Sequence, residues 1–85
     1  MIEIKYTITD TDGMHARPAG QLVKEVGKFE SSVTITKGEK TGDASRIFAI
    51  MSLGIKNGEE ITLQVEGKDE VEAAAALEVF LAENL

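Results

Sequence analysis

Cysteine and tryptophan are absent from this chain of 85 residues, and histidine and proline occur once each. Without cysteine there is no disulfide framework, no thiolate metal site and no cysteine nucleophile, a composition compatible with the cytosol. No apolar run approaches the roughly 20 residues needed to cross a bilayer, and the strand-like start Met1-Ile2-Glu3-Ile4-Lys5 is not read as a signal peptide. Basic residues are the minority, nine Lys and Arg against fifteen Asp and Glu, for a net charge of −6. That balance argues against nucleic acid as the main partner, because phosphate backbones need a basic face. It leaves room for a local basic patch, for which Arg17, Lys24 and Lys28 are the candidates, with Arg46 expected to join them. The length suits one small domain, 1–85, with a modest core.

The pattern that is present divides into short periodic segments. Ile2, Ile4, Tyr6 and Ile8 alternate with polar residues, as a half-buried strand does. Asp10-Thr11-Asp12-Gly13 reads as a turn. Ala19, Leu22, Val23 and Val26 recur at helical spacing, which predicts a helix from about Ala16 to Gly27. Val33 and Ile35 alternate with threonines as a second strand, and Lys37-Gly38-Glu39 turns into a short third around Lys40 to Gly42. Arg46–Leu53 reads as a short helix ending on Gly54 in the left-handed conformation. Ile61, Leu63 and Val65 form a fourth strand. Asp69 is then expected to cap a last helix with Glu72 as capping-box partner, and Ala74, Leu77 and Leu81 supply its inward stripe. The order βαββαβα implies an α+β domain of two layers, an amphipathic sheet with helices on one face.

The chemistry concentrates in Gly13-Met14-His15-Ala16-Arg17-Pro18-Ala19-Gly20. Proline is tolerated in the first turn of a helix, where its missing N–H costs nothing. His15 is therefore placed just ahead of a helix start, where unpaired N–H groups and the macrodipole favour an anion. Imidazole is nucleophilic at nitrogen and changes protonation near neutral pH, and Arg17 adds a phosphate-binding fork. A lone histidine is more often a surface residue, Arg17 an ordinary solvated charge and Pro18 an ordinary helix starter. Against that stands the convergence of three parts of a phosphoryl site within four residues, which points to a phosphorylated histidine.

Those residues, Gly13-Met14-His15-Ala16-Arg17-Pro18-Ala19, resemble the active-site signature of the HPr family, the histidine-containing phosphocarriers of the sugar phosphotransferase system. Met51-Ser52-Leu53-Gly54-Ile55 and Gly58-Glu59-Glu60-Ile61-Thr62 are also similar to that family, and the resemblance runs end to end without an insertion. It implies an open-faced β-sandwich, a four-stranded antiparallel sheet with three helices on one side. It further implies a cytoplasmic, monomeric carrier, not itself a catalyst, that takes a phosphoryl group from enzyme I and passes it to IIA domains of sugar permeases. A purely regulatory module of the same fold, or a carrier for a non-sugar branch, is the alternative. The resemblance places the phosphoryl group on His15 at Nδ1, with Arg17 beside it and the backbone around Ala16, Arg17 and Pro18 meeting its oxygens. A carrier must also release its cargo, so the site is expected to be shallow, with no metal and no cofactor.

Two expectations concern the surface around the site. Gly20 should leave room near His15, and Ile47, Phe48 and Met51, flanked by Lys24, should form an apolar patch for partner proteins, while Ile50 and Leu53 face the core. In Gram-positive members a regulatory serine opens the second helix. A gap-free count from His15 puts Arg46 there, with Ser45 one residue earlier, so seryl regulation is in question and Ser45 or Asp43 is the expected helix cap.

Overall fold

The computed structural model describes residues 1–85. Its elements are β1 (Ile2–Thr7), α1 (Ala16–Val26), β2 (Ser32–Lys37), β3 (Lys40–Asp43), α2 (Ile47–Met51), β4 (Glu60–Glu66) and α3 (Glu70–Asn84). The strands form one antiparallel sheet in the order β1-β4-β2-β3. The period-2 alternation of the sequence sets which side chains share a face. Register puts Ile4 opposite Leu63 and Leu63 opposite Ile35, so the branched residues of three strands line up on the buried side. The other face stays polar. There Gln64 Nε2 donates to Glu3 at 3.1 Å, and Thr34 donates to Gln64 Oε1 at 3.0 Å, a cross-strand ladder of side chains. This is the expected α+β open-faced β-sandwich, βαββαβα, with all three helices on the apolar face.

Helix α1 forms because Pro18, Ala19, Leu22 and Val26 fall on one side of a 3.6-residue repeat, and all four are buried. Burying a Leu or Ile contributes about 1.5–3 kcal/mol, and Leu22, Ile35, Leu63, Leu77 and Leu81 are wholly enclosed in one hydrophobic cluster. Anchored this way, α1 has a fixed N-terminus, which matters for His15. The chain leaves α2 through Gly54, at φ +62°, and returns Leu53 and Ile55 to the core. Lys37 from the end of β2 reaches the open end of that helix, where Nζ donates to the carbonyls of Leu53 and Gly54 at 3.2 and 2.8 Å. Glu59 pairs with the same ammonium at 3.0 Å.

Three local expectations are corrected. Helix α2 is shorter than Arg46–Leu53, because Arg46 is its N-cap and Ser52 its C-cap. Neither Ser45 nor Asp43 caps it. The Ser45 N–H and hydroxyl both donate to Asp43 Oδ1, at 2.9 and 2.6 Å, so the two residues satisfy each other in the turn before the helix. The capping box at α3 does not form either. Asp69 occupies the N-cap without a side-chain capping bond. Its carboxylate instead accepts from the backbone N–H groups of Glu30 and Ser31, each at 2.9 Å, and from the Ser31 hydroxyl. The segment entering β2 runs alongside and brings N–H donors that the sheet does not pair. These bonds, the Ser31 hydroxyl first, hold the Asp69 carboxyl below its usual range. Glu70, and not Glu72, reaches back to the N–H of Gly67, at 3.2 Å.

Candidate functional site

His15 is the N-cap of α1, with extended backbone at φ −84° and ψ −176°. Its carbonyl accepts the first helical bond from Ala19 N at 3.1 Å, and its side chain makes no capping bond. The imidazole is exposed, as are Ala16 and Arg17, whereas Pro18 is buried against the core. The first N–H groups of a helix have no partner inside it. At this end Ala16 and Arg17 carry such groups and Pro18 carries none, so two backbone donors and one guanidinium face the space beside the ring. Arg17 forms no ion pair within the chain and is free to meet an anion.

The loop that presents His15 is held from three directions. Thr9 and Asp10 donate their N–H groups to the Leu85 carbonyl, at 2.6 and 2.8 Å. Asn57 Nδ2 donates to the carbonyls of Thr9 and Asp10, at 3.0 and 3.1 Å. Met14 N donates to Ile55 O at 3.0 Å, and the Met14 side chain is buried. Between them Gly13 turns at φ +66° directly over Ile55, where a Cβ would lie 2.5 Å from the Ile55 oxygen. Only glycine fits that crossing. The preorganisation is thus largely backbone, leaving the imidazole and guanidinium in solvent.

The space beside His15 is a groove of about 370 Å³. His15, Arg17, Pro18 and Gln21 form one side of it. Asp10 and Asp12 enter from the preceding turn, and Glu83 and Asn84 from the end of α3. Asp10 Oδ1 accepts the Asp12 N–H at 2.8 Å and so shapes that turn. A side-chain oxygen from each aspartate and a ring nitrogen of His15 all lie within 4.8 Å of one another. Sequence reading took Asp10 and Asp12 only as turn formers. Their place five and three residues before the histidine was the available signal, whereas nothing local marks Glu83 or Asn84. A larger groove of about 440 Å³ lies between the end of α1 and strands β2 and β3; five of its eleven lining residues are serine or threonine and none is lysine or arginine.

The second expected surface is brought together in part. Phe48 is 83% exposed and Met51 39%, Ile47 is half-buried, and Ile50 is fully enclosed, so α2 divides its apolar residues between solvent and core as expected. Gly20 is not among the residues that line the groove beside His15. It lies beside α2, where a Cβ would make ordinary contact with Ile47 Cδ1 at 3.6 Å. Arg17 lines the His15 groove, and Lys24 and Lys28 line an adjoining groove that shares Gln21 and Asn84 with it. Lys28 pairs with Glu25 at 3.0 Å, and Lys24 lies beside them in a groove closed by Phe80.

Comparison with known proteins agrees with this fold. A family model for the PTS HPr component phosphorylation site matches residues 2–83. The phosphocarrier protein HPr of Mycoplasma capricolum is 44% identical over 77 residues, covering 91% of this chain and 86% of that protein. A solved structure of a mycoplasmal histidine-containing phosphocarrier protein superposes with a TM-score of 0.93 at 40% identity, over 96% of this chain and 93% of that one. HPr of Thermoanaerobacter tengcongensis superposes with a TM-score of 0.92 at 38% identity, over 98% and 93%, and has also been solved as a dimer. With agreement of sequence and architecture across nearly its whole length, this chain belongs to the HPr family of phosphocarrier proteins.

Proposed function

We propose that His15 takes a phosphoryl group from phosphorylated enzyme I in the cytoplasm and passes it, as a monomeric carrier, to IIA domains of sugar permeases. One observation carries this reading: an exposed imidazole at the N-cap of an 11-residue helix, with the unpaired Arg17 and two free N–H groups beside it. The incoming oxygens meet the guanidinium and the amides of Ala16 and Arg17. Charge-assisted bonds of this kind strengthen when a docked partner excludes water. The groove is open, so the donor and the acceptor can each approach the same ring in turn. Ile47, Phe48 and Met51, with Gly20 and Lys24 nearby on α1, supply the surface on which those partners dock.

The test is incubation with phosphoenolpyruvate and purified enzyme I, reading mass and acid lability. The native chain is expected to gain one acid-labile phosphate. His15→Ala is expected to gain none while melting at an unchanged temperature, since the ring is exposed and caps nothing. An acid-labile phosphate on that variant would remove His15 from the role.

A further inference from the structure

The geometry points to Asp10 and Asp12 as residues that shorten the life of the phosphohistidine by crowding it with negative charge. This rests on the carrier reading of His15. The groove holds three carboxylates, Asp10, Asp12 and Glu83, against a single guanidinium, Arg17. The end of α3 also lies there, and a helix C-terminus carries partial negative charge. A phosphoryl group on the imidazole brings up to two further negative charges into that space. A side-chain oxygen of each aspartate and one ring nitrogen of His15 already lie within 4.8 Å of one another, so a phosphoryl group on either nitrogen of the small ring shares the groove with both carboxylates. Arg17 can offset one of those charges. The aspartates have no other evident task for both of their charges. Asp10 Oδ1 accepts one backbone N–H, which a neutral amide oxygen would accept as well, and the Asp12 carboxylate makes no hydrogen bond or ion pair within the chain.

The repulsion acts on a defined step. In transfer to water the P–N bond breaks and a P–O bond forms. The P–N electron pair returns to the ring nitrogen, one water hydrogen stays on the phosphate, and the other replaces the phosphoryl group on the ring. The transition state is loose, with the phosphoryl group resembling metaphosphate of charge −1. The charge that returns to the ring with the P–N pair is cancelled by the proton the ring takes up, and the phosphate carries its own charge out of the groove, so the carboxylates raise the phosphohistidine relative to the discharged chain and part of that rise lowers the barrier. Transfer to a IIA histidine relieves the same repulsion, so the carboxylates favour release over storage. They touch the cargo only through the field and are tuning residues, distinct from the nucleophile.

The experiment labels the native chain, Asp12→Asn and Asp10→Asn/Asp12→Asn with potassium phosphoramidate in EDTA. It follows the phosphohistidine on His15 by mass or ³¹P NMR, at about 10 mM and about 1 M salt. Asparagine keeps the size of each side chain and the oxygen that accepts the Asp12 N–H. At low salt the half-life is expected to lengthen about threefold for Asp12→Asn and about tenfold for the pair, shrinking towards no difference at 1 M, where charges are screened within about 3 Å. An unchanged or shorter half-life at low salt would overturn the inference. So would a lengthening that salt does not diminish, since local packing would then be the cause. A chain labelled by phosphoramidate but not by phosphorylated enzyme I would sink the carrier reading and leave the lifetime comparison intact. If phosphoramidate left His15 unlabelled, both would fall.

Discussion

Phe48→Ala separates binding from folding more sharply than any other single change on the proposed docking surface. Phe48 is 83% exposed, so about one-sixth of its surface is in contact with the rest of the chain. Truncating a fully buried Phe costs about 3–5 kcal/mol, and one-sixth of that is under 1 kcal/mol. Alanine is also the better helix former, by about 0.5 kcal/mol, and offsets part of the loss. The expected change in unfolding free energy is therefore about 0.5 kcal/mol or less. An aromatic anchor at the centre of an interface typically contributes about 2 kcal/mol or more, which is about 30-fold in Kd. Urea melts and calorimetric titration with enzyme I measure the two quantities. Ile50→Ala, on the enclosed side of the same helix, serves as the opposite control and is expected to lose about 2–5 kcal/mol of stability. A Phe48→Ala protein with unchanged affinity and a stability loss near 2 kcal/mol would show that Phe48 belongs to the core and that the docking surface has been misplaced.

Arg17→Lys is expected to slow phosphoryl transfer in rapid-quench kinetics with little change in melting temperature, because an ammonium lacks the planar fork of donors and Arg17 has no structural ion pair to lose; equal rates for the two proteins would remove Arg17 from the site. The Asp69 clamp is expected to make stability acid-sensitive. Its carboxyl is held below the unfolded value of about 3.9, so its contribution is full above about pH 4 and fades as pH falls through the lower folded value. The difference in urea midpoint between the native chain and Asp69→Ala should shrink across that range, and a difference constant from pH 7 to pH 2 would rule the linkage out.

Much of this fold is legible in local pattern. Alternation at Ile61, Leu63 and Val65, and the spacing of Ala19, Leu22 and Val26, determine element type, because the period of the buried side chains must match that of the backbone. The same locality places His15 ahead of α1, with Pro18 inside the first turn, and it separates Ile50 from Phe48 on a helix of only five residues. What sequence could not decide is which partner a polar group finds across the chain. Asp69 has the right type for a helix cap and spends its carboxylate on a segment 38 residues away. Gly20 finds Ile47 of α2 as its neighbour. Asp10 and Asp12 become neighbours of the His15 ring only once Leu85 and Asn57 have pinned the loop, and Glu83 reaches the same groove only because α3 packs back on β1. Local propensity is set within a few residues, whereas the electrostatic field around His15 is a sum over groups that only the packed core brings together.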